Sequence, residues 1–242
     1  MIPMNLEKQV AIVTGAGRGI GRAISIGLAM CGAHVVLVAR TDSQLQEVAQ
    51  SIRQGNGLAT VIATDLGEER QIVAMFERVR QLLGRVDVLV NNAGIGIFGP
   101  LAEFAAEDFD RVISTNLRGT FLCCREAMKL MMRQKSGYII NISSVVGFKG
   151  YPNQAAYTAS KHGVMGLTKS LAVEAQKYGI RVSAILPGGV NTGMVPDARP
   201  DLHLDELLKP EDIAQSVLYL LSLSENAAVD QIYIRRRTSS PF

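Results

Sequence analysis

Short runs of β-branched and apolar residues alternate along the chain with longer stretches whose apolar positions recur at helical spacing. The runs are Val10–Val13, His34–Ala39, Thr60–Ala63, Val86–Val90, Tyr138–Ile142, Arg181–Ile185 and Gln231–Ile234. The helical patterns between them cover Gly19–Met30, Ser43–Arg53, Glu68–Leu83, Glu107–Gln134, Ala155–Tyr178 and Pro210–Leu221. Continuous Val/Ile/Leu strands joined by helices predict a parallel sheet covered on both faces. Right-handed crossovers then give an α/β, doubly wound parallel sheet of about seven strands. No Pro- or Ser-rich linker, internal repeat or low-complexity segment divides the chain, so residues 1–242 are expected to form a single domain.

Composition supports this picture and narrows the function. Hydrophobic residues make up 48% of the chain, enough for a large core, and 25 Lys+Arg against 22 Asp+Glu leave a net charge of only +3. Such a balance argues for neither nucleic acid nor a membrane surface as partner. The first residues lack the basic and apolar regions of a secretory signal, and no apolar run is long enough to span a bilayer. The three cysteines, Cys31, Cys123 and Cys124, are odd in number, with two adjacent in a helical pattern. Reduced thiols and a cytoplasmic location are the expectation, with no metal-ligand spacing.

In a doubly wound fold, ligands bind beyond the carboxyl ends of the strands. The first strand runs there into Thr14-Gly15-Ala16-Gly17-Arg18-Gly19-Ile20-Gly21 and a helix. Missing Cβ atoms permit a tight turn and close approach of a pyrophosphate, which the helix N-terminus attracts with free N–H groups. The pattern is G-x-x-x-G-x-G through Gly15, Gly19 and Gly21, not the commoner G-x-G-x-x-G of Rossmann folds. The second strand ends in Ala39-Arg40-Thr41, where the usual fingerprint carries a ribose-binding acid. A carboxylate repels a 2′-phosphate and an arginine grips it, so Arg40, with Arg18, points to NADP(H) over NAD(H). The competing reading is that both arginines are solvated surface side chains. Asp65 could accept from an adenine amino group or could cap the helix near Glu68.

Tyr157 and Lys161 stand four apart on one face of a predicted helix. A phenol with its usual pKa near ~10 is a poor acid at neutral pH, and a nearby ammonium favours the phenolate. At ~4 Å and an effective dielectric of ~20 the attraction is on the order of 4 kcal/mol, enough to pull the phenol towards neutrality before desolvation opposes it. Tyr157 would then exchange a proton with a carbonyl or alcohol oxygen, and a hydroxyl such as Ser144 would stabilise negative charge developing there. The pair alone is ordinary on solvated helices; the glycine loop and the serine on the same sheet edge give it weight.

Together these residues resemble the short-chain dehydrogenase/reductase family from about Leu6 to Leu221. Asn91-Asn92-Ala93-Gly94 after the fourth strand, Ser144 thirteen residues before Tyr157, and Pro187-Gly188 with Thr192 all match family motifs. The resemblance implies a catalytic set of Asn116, Ser144, Tyr157 and Lys161, with Asn116 holding a water in a proton relay through Lys161. It carries cofactor contacts to Gly15, Arg18, Gly19, Ile20, Gly21, Arg40, Asp65, Leu66, Asn92, Ala93, Gly94, Tyr157, Lys161, Pro187, Gly188, Val190 and Thr192. Within the family the chain is similar to 3-oxoacyl-acyl-carrier-protein reductases and related NADPH carbonyl reductases. That likeness implies hydride transfer without metal to a small carbonyl substrate, including a carrier-bound acyl chain.

Two departures stand out. The stretch between Thr192 and Pro210 is short where relatives carry a longer helical lid. The last strand runs into Arg235-Arg236-Arg237 in place of the family's Asp-Gly-Gly. That ending contributes to a tetramer interface in relatives, so a homodimer is as compatible as a homotetramer. Residues 235–242 are expected to be a flexible, solvated basic tail. Met194 could line the substrate mouth or fill a gap, and the adjacent cysteines are expected to pack a helix. The alternatives are a non-catalytic nucleotide sensor, which the presence of all four catalytic-position residues opposes, and an NAD-retaining epimerase or dehydratase, whose chains carry a further substrate domain. The cofactor expectation is tested by steady-state kinetics: Arg40→Asp is expected to shift the ratio of kcat/KM values from NADP(H) towards NAD(H), and a wild type that already prefers NAD(H) would contradict it.

Overall fold

The computed structural model describes residues 5–195 and 203–240. Seven strands form one parallel sheet: β1 (Val10–Thr14), β2 (His34–Ala39), β3 (Leu58–Ala63), β4 (Val88–Asn91), β5 (Gly137–Ile142), β6 (Ile180–Pro187) and β7 (Gln231–Ile234), in the order β3-β2-β1-β4-β5-β6-β7. The order reverses between β1 and β4, so the connections leave in opposite directions and open a crevice at their carboxyl ends. Helices α1 (Gly19–Met30), α2 (Asp42–Gln54) and α7 (Pro210–Ser222) cover one face, and α3 (Glu69–Leu83), α5 (Gly119–Gln134) and α6 (Ala155–Gln176) the other.

Strand alternation sets both cores. Ala11 and Val13 of β1 pack with Ile24 and Leu28 of α1 and Val217 of α7. Val10 and Ile12 point the other way, towards Ile72 and Val79 of α3 and Met131 of α5. Cys123 and Cys124 lie in this second core, where burial pushes both thiols up, that of Cys124 to about 12. They are inert packing groups.

Three departures from the sequence pattern bear on packing or on the site, beyond other shifts of one or two residues at element ends. The expected helix over 107–134 is broken into α4 (Ala106–Ile113), a π-helical turn at Ser114–Arg118 and α5. Apolar periodicity does not register one inserted residue, and such turns cluster at functional sites. The fourth strand starts at Val88, because the main chain of Val86 is satisfied by a side chain: its N–H donates to Gln134 Oε1 (3.0 Å) and its carbonyl accepts from Gln134 Nε2 (2.8 Å).

The third difference lies in the arginine run, of which Arg237 is exposed but Arg235 and Arg236 fold back onto the chain. Arg235 Nη1 donates to the carbonyls of Arg236, Arg237 and Ser239 and winds residues 236–239 into a turn. Arg236, with an 11% exposed side chain, pairs with Glu206 at 3.0 Å. A charge run reads as solvated only when no acceptors fold against it, and here the chain supplies its own. Residues 241–242, and residues 196–202 of the short stretch after Thr192, lie outside the described residues.

Ile139 on β5 is fully buried in the second core. Ile139→Ala is expected to cost about 2–5 kcal/mol in urea unfolding, by lost burial plus the cavity left behind.

Candidate active site

One cleft of about 1130 Å³ opens along the carboxyl ends of the strands. That volume exceeds the usual range for a single drug-sized ligand and suits a dinucleotide with a substrate beside it. Its floor is the junction of β1 and β4. Thr14 Oγ1 accepts from the N–H groups of Asn92 (3.0 Å) and Ala93 (3.1 Å), and Asn92 Nδ2 donates to the carbonyls of Thr14 (2.9 Å) and Gly15 (3.2 Å). Gly15 has φ +65° and Gly19 φ +53°, a region that favours glycine. A Cβ on Gly21 would collide with the Gly15 carbonyl and with Asn92, so the loop closes tightly over the N-terminus of α1.

Most residues expected at the cofactor line this cleft: Gly15, Arg18, Gly19, Ile20, Arg40, Asp65, Leu66, Asn92, Ala93, Gly94, Tyr157, Lys161, Pro187, Gly188, Val190 and Thr192. Gly21 does not line it and lies behind the loop as a packing glycine. Thr192 approaches Gly19, since a Cβ there would stand 3.1 Å from its methyl. The guanidinium of Arg18 comes within 3.9 Å of the corresponding point on Gly193. Arg40, Thr41 and Gln44 mark the β2 end. Asp65 does not cap α3, whose N-cap is Glu68; its carboxylate accepts from the Gly67 N–H at 2.9 Å.

At the other end the cleft meets α6. The Ser143 hydroxyl is turned inward and donates to the Lys161 carbonyl (3.2 Å), whereas Ser144 accepts from the Val146 N–H (3.3 Å) and hydrogen-bonds the Tyr157 phenol. Burial pushes that phenol up to about 12, against the opposing bond to Ser144. Lys161 Nζ lies 5.8 Å from the Tyr157 ring centroid and donates to the Ile142 carbonyl at 2.9 Å. Burial lowers it from its usual 10.5 to about 8. The expected lowering of the phenol towards a neutral pKa is not seen in the unliganded site, because desolvation of the phenol dominates.

Asn116 is fully buried within the π-helical turn. Its Oδ1 accepts from the Ile95 N–H (2.8 Å), and its Nδ2 donates to the Ile95 carbonyl (2.9 Å) and to Ser160 Oγ (3.1 Å). Ser160 donates in turn to the Tyr157 carbonyl (2.7 Å). The amide is thus bonded to protein groups on both of its atoms. It ties the loop after β4 to the first turn of α6 and so positions Tyr157.

The sequence reading missed Phe98, whose ring meets Tyr157 edge-on at 5.8 Å, and the lining residues Lys149, Arg235 and Arg236. The arginines follow β7, whose carboxyl end lies on the same sheet edge, and that placement was the available signal. Among the described residues, no group of three or more His, Cys, Asp or Glu side chains is placed to hold a metal ion. No helix there is long and apolar enough to cross a membrane.

A sequence model described as short chain dehydrogenase matches residues 9–203. The chain belongs to this family. It is 39% identical to a 3-oxoacyl-[acyl-carrier-protein] reductase of Synechocystis sp. over 221 residues, which cover 89% of this chain and 90% of the relative. It is 41% identical to levodione reductase of Leifsonia aquatica over 197 residues, 80% of this chain and 74% of that one. Among solved structures it resembles a metagenomic short-chain oxidoreductase in complex with NADP, at TM-score 0.86 and 38% identity, with 97% and 99% of the two chains covered. The protein is thus a short-chain dehydrogenase-family oxidoreductase, a family that uses a nicotinamide cofactor.

The buried lysine has a consequence for pH. Between about 8 and 10.5 the unfolded chain holds a proton that folded Lys161 has lost, so stability rises with pH there, and below about 8 the cost of the buried charge is complete. Relative to Lys161→Met, the unliganded wild type is expected to gain about 2 kcal/mol in urea unfolding from pH 8 to 10. A stability difference that stays constant over that range would contradict the buried, depressed ammonium.

Proposed function

We propose that this short-chain dehydrogenase reduces a ketone with NADPH, Tyr157 delivering the proton to the carbonyl oxygen. The observation that carries this reading is the hydrogen-bonded Ser144–Tyr157 pair at the cleft with the Lys161 ammonium behind it. The donor set fits a nicotinamide dinucleotide. Gly15, Gly19 and the N-terminus of α1 would hold the pyrophosphate, and Arg40 the 2′-phosphate. Lys161, Asn92 and the Pro187–Thr192 segment would hold the nicotinamide half. When bound, the reduced cofactor supplies a hydride to the carbonyl carbon.

Negative charge then grows on the substrate oxygen. The Ser144 hydroxyl donates to it, and Tyr157 gives up its phenolic proton. Raised by burial, the phenol carries its proton at neutral pH and has it to give in the reductive direction. Lys161, near 8, is still mostly charged at pH 7 and stabilises the phenolate left behind. Asn116 keeps the helix carrying Tyr157 in place.

Exposed Phe109, Phe121, Met132 and Val173 on α4, α5 and α6 support pairing of copies across these helices, as a homodimer or within a homotetramer.

The test is NADPH oxidation with a panel of ketones that includes a β-ketoacyl ester. Tyr157→Phe is expected to lose nearly all turnover while still binding NADPH in fluorescence titration. Ser144→Ala is expected to lose about 10²-fold or more in kcat. A Tyr157→Phe enzyme with a normal rate would overturn the mechanism.

A further inference from the structure

The half of the cleft beyond Tyr157 has a lining of two chemistries. Phe98 and Met194 flank Gly96: a Cβ there would collide with the Phe98 ring and stand 3.3 Å from Met194 Cγ. With the edge of Phe98 on Tyr157, this wall is apolar and abuts the reacting oxygen. The lining also carries Lys149, Arg235 and Arg236, with Thr238 and Ser239. The arginine segment lies directly against the turn after β6. The Gly188 N–H donates to the Ile234 carbonyl at 2.7 Å, and a Cβ on Gly188 would stand 3.4 Å from Arg235 Cα. Ser144 Oγ reaches the carbonyl of the adjoining Pro187 at 3.5 Å. The backbone that carries Arg235 and Arg236 therefore begins one residue layer from the serine that faces the substrate carbonyl.

One of the three cations, Arg236, has a carboxylate partner among the described residues, and Lys149 and Arg235 have none in an ion pair. Arg235 Nη1 is bonded to neutral backbone carbonyls, and Lys149 Nζ lies 5.7 Å from the centroid of the Phe148 ring. Glu206 takes one nitrogen of Arg236 and holds that guanidinium in place. Among the described residues lining the cleft, the one carboxylate is Asp65, which follows β3 at the opposite edge of the sheet. Six strand spacings of ~4.8 Å put the β3 edge roughly 29 Å from β7, well beyond the screening length of ~8 Å at physiological salt. The same spacing removes the cofactor as the reason for these cations. Its 2′-phosphate is assigned to Arg40 after β2, five strands from β7.

We propose that the physiological substrate is a keto acid. Its carboxylate is held by Lys149, Arg235 and Arg236, and the carbon chain between carboxylate and ketone lies along Phe98 and Met194. This assignment rests on the carbonyl-reductase reading and names the substrate class of that same site. Partly buried guanidinium groups suit a carboxylate because their planar donors match its two oxygens, and the desolvated cleft strengthens the attraction. An ester or thioester of the same skeleton carries no charge for these cations to bind.

The experiment separates binding from turnover. The enzyme loaded with NADP⁺, which cannot reduce a ketone, is titrated in a calorimeter with 4-oxopentanoate, 5-oxohexanoate and the methyl ester of each. The acid of at least one pair is expected to bind about tenfold or more tightly than its ester, with the preference falling as salt is raised. Lys149→Gln and Arg236→Gln are each expected to bring the acid-to-ester ratio to within about threefold of unity. They lie on separate segments, so disorder of the C-terminal turn in one does not explain the other. Acids that bind no better than their esters would overturn the assignment, whatever the turnover. A preference that survives both substitutions would overturn it as well. Turnover of the same compounds with NADPH reads the underlying reaction separately: acids that bind by this preference without being reduced would sink the reductase reading and leave the carboxylate site standing.

Discussion

The site depends on how the chain satisfies its backbone where β1 and β4 part. Two adjacent parallel strands whose connections run in opposite directions leave N–H and carbonyl groups at their ends with no strand partner. Thr14 and Asn92 supply the missing partners from side chains, joining the glycine loop to the segment after β4 through four bonds of 2.9–3.2 Å. A buried backbone group left unpaired costs about as much as a lost hydrogen bond, so these two residues keep the crevice open yet rigid. Everything that reaches the cleft, from Gly15 to Tyr157, is placed relative to that junction.

Around this frame the chemistry is set by desolvation more than by direct ion pairing. Burial raises the Tyr157 phenol and lowers the Lys161 ammonium, so each is pushed towards its neutral form. The lysine retains a hydrogen bond to the Ile142 carbonyl and the phenol one to Ser144. The result is a protonated acid beside a partly destabilised cation. Under the proposed reading, such a pair gains from negative charge arriving on a substrate oxygen, where catalysis needs the stabilisation. The π-helical turn around Asn116 serves the same end from behind, because its amide links Ile95 to Ser160 and through Ser160 to the Tyr157 backbone.

Much of this was legible in the residues themselves. The alternation of β-branched runs and helical patterns predicts all seven strands, because a strand buried on both faces must be apolar throughout. Gly15 and Gly19, the Tyr157–Lys161 spacing and Ser144 mark the cleft because those positions tolerate few residue types, and Gly21 marks the loop that closes behind it. Local pattern did not carry the π-helical turn, since one extra residue leaves helical periodicity almost unchanged. Nor did it show that Val86 is paired by Gln134, a residue 48 positions away.

The sequence by itself determined the fold class, the glycine loop and the identity of the groups able to exchange a proton, since each is written in residue type and short-range spacing. Tertiary structure decided the electrostatics. The burial of Tyr157 and Lys161 and the folding of Arg235 and Arg236 onto the wall of the cleft depend on which distant segments meet. Arg235-Arg236-Arg237 reads as a solvated run until β7 is seen to end beside β6, against Gly188. A charge's role is fixed by its neighbours and its access to water, and those are properties of the folded chain.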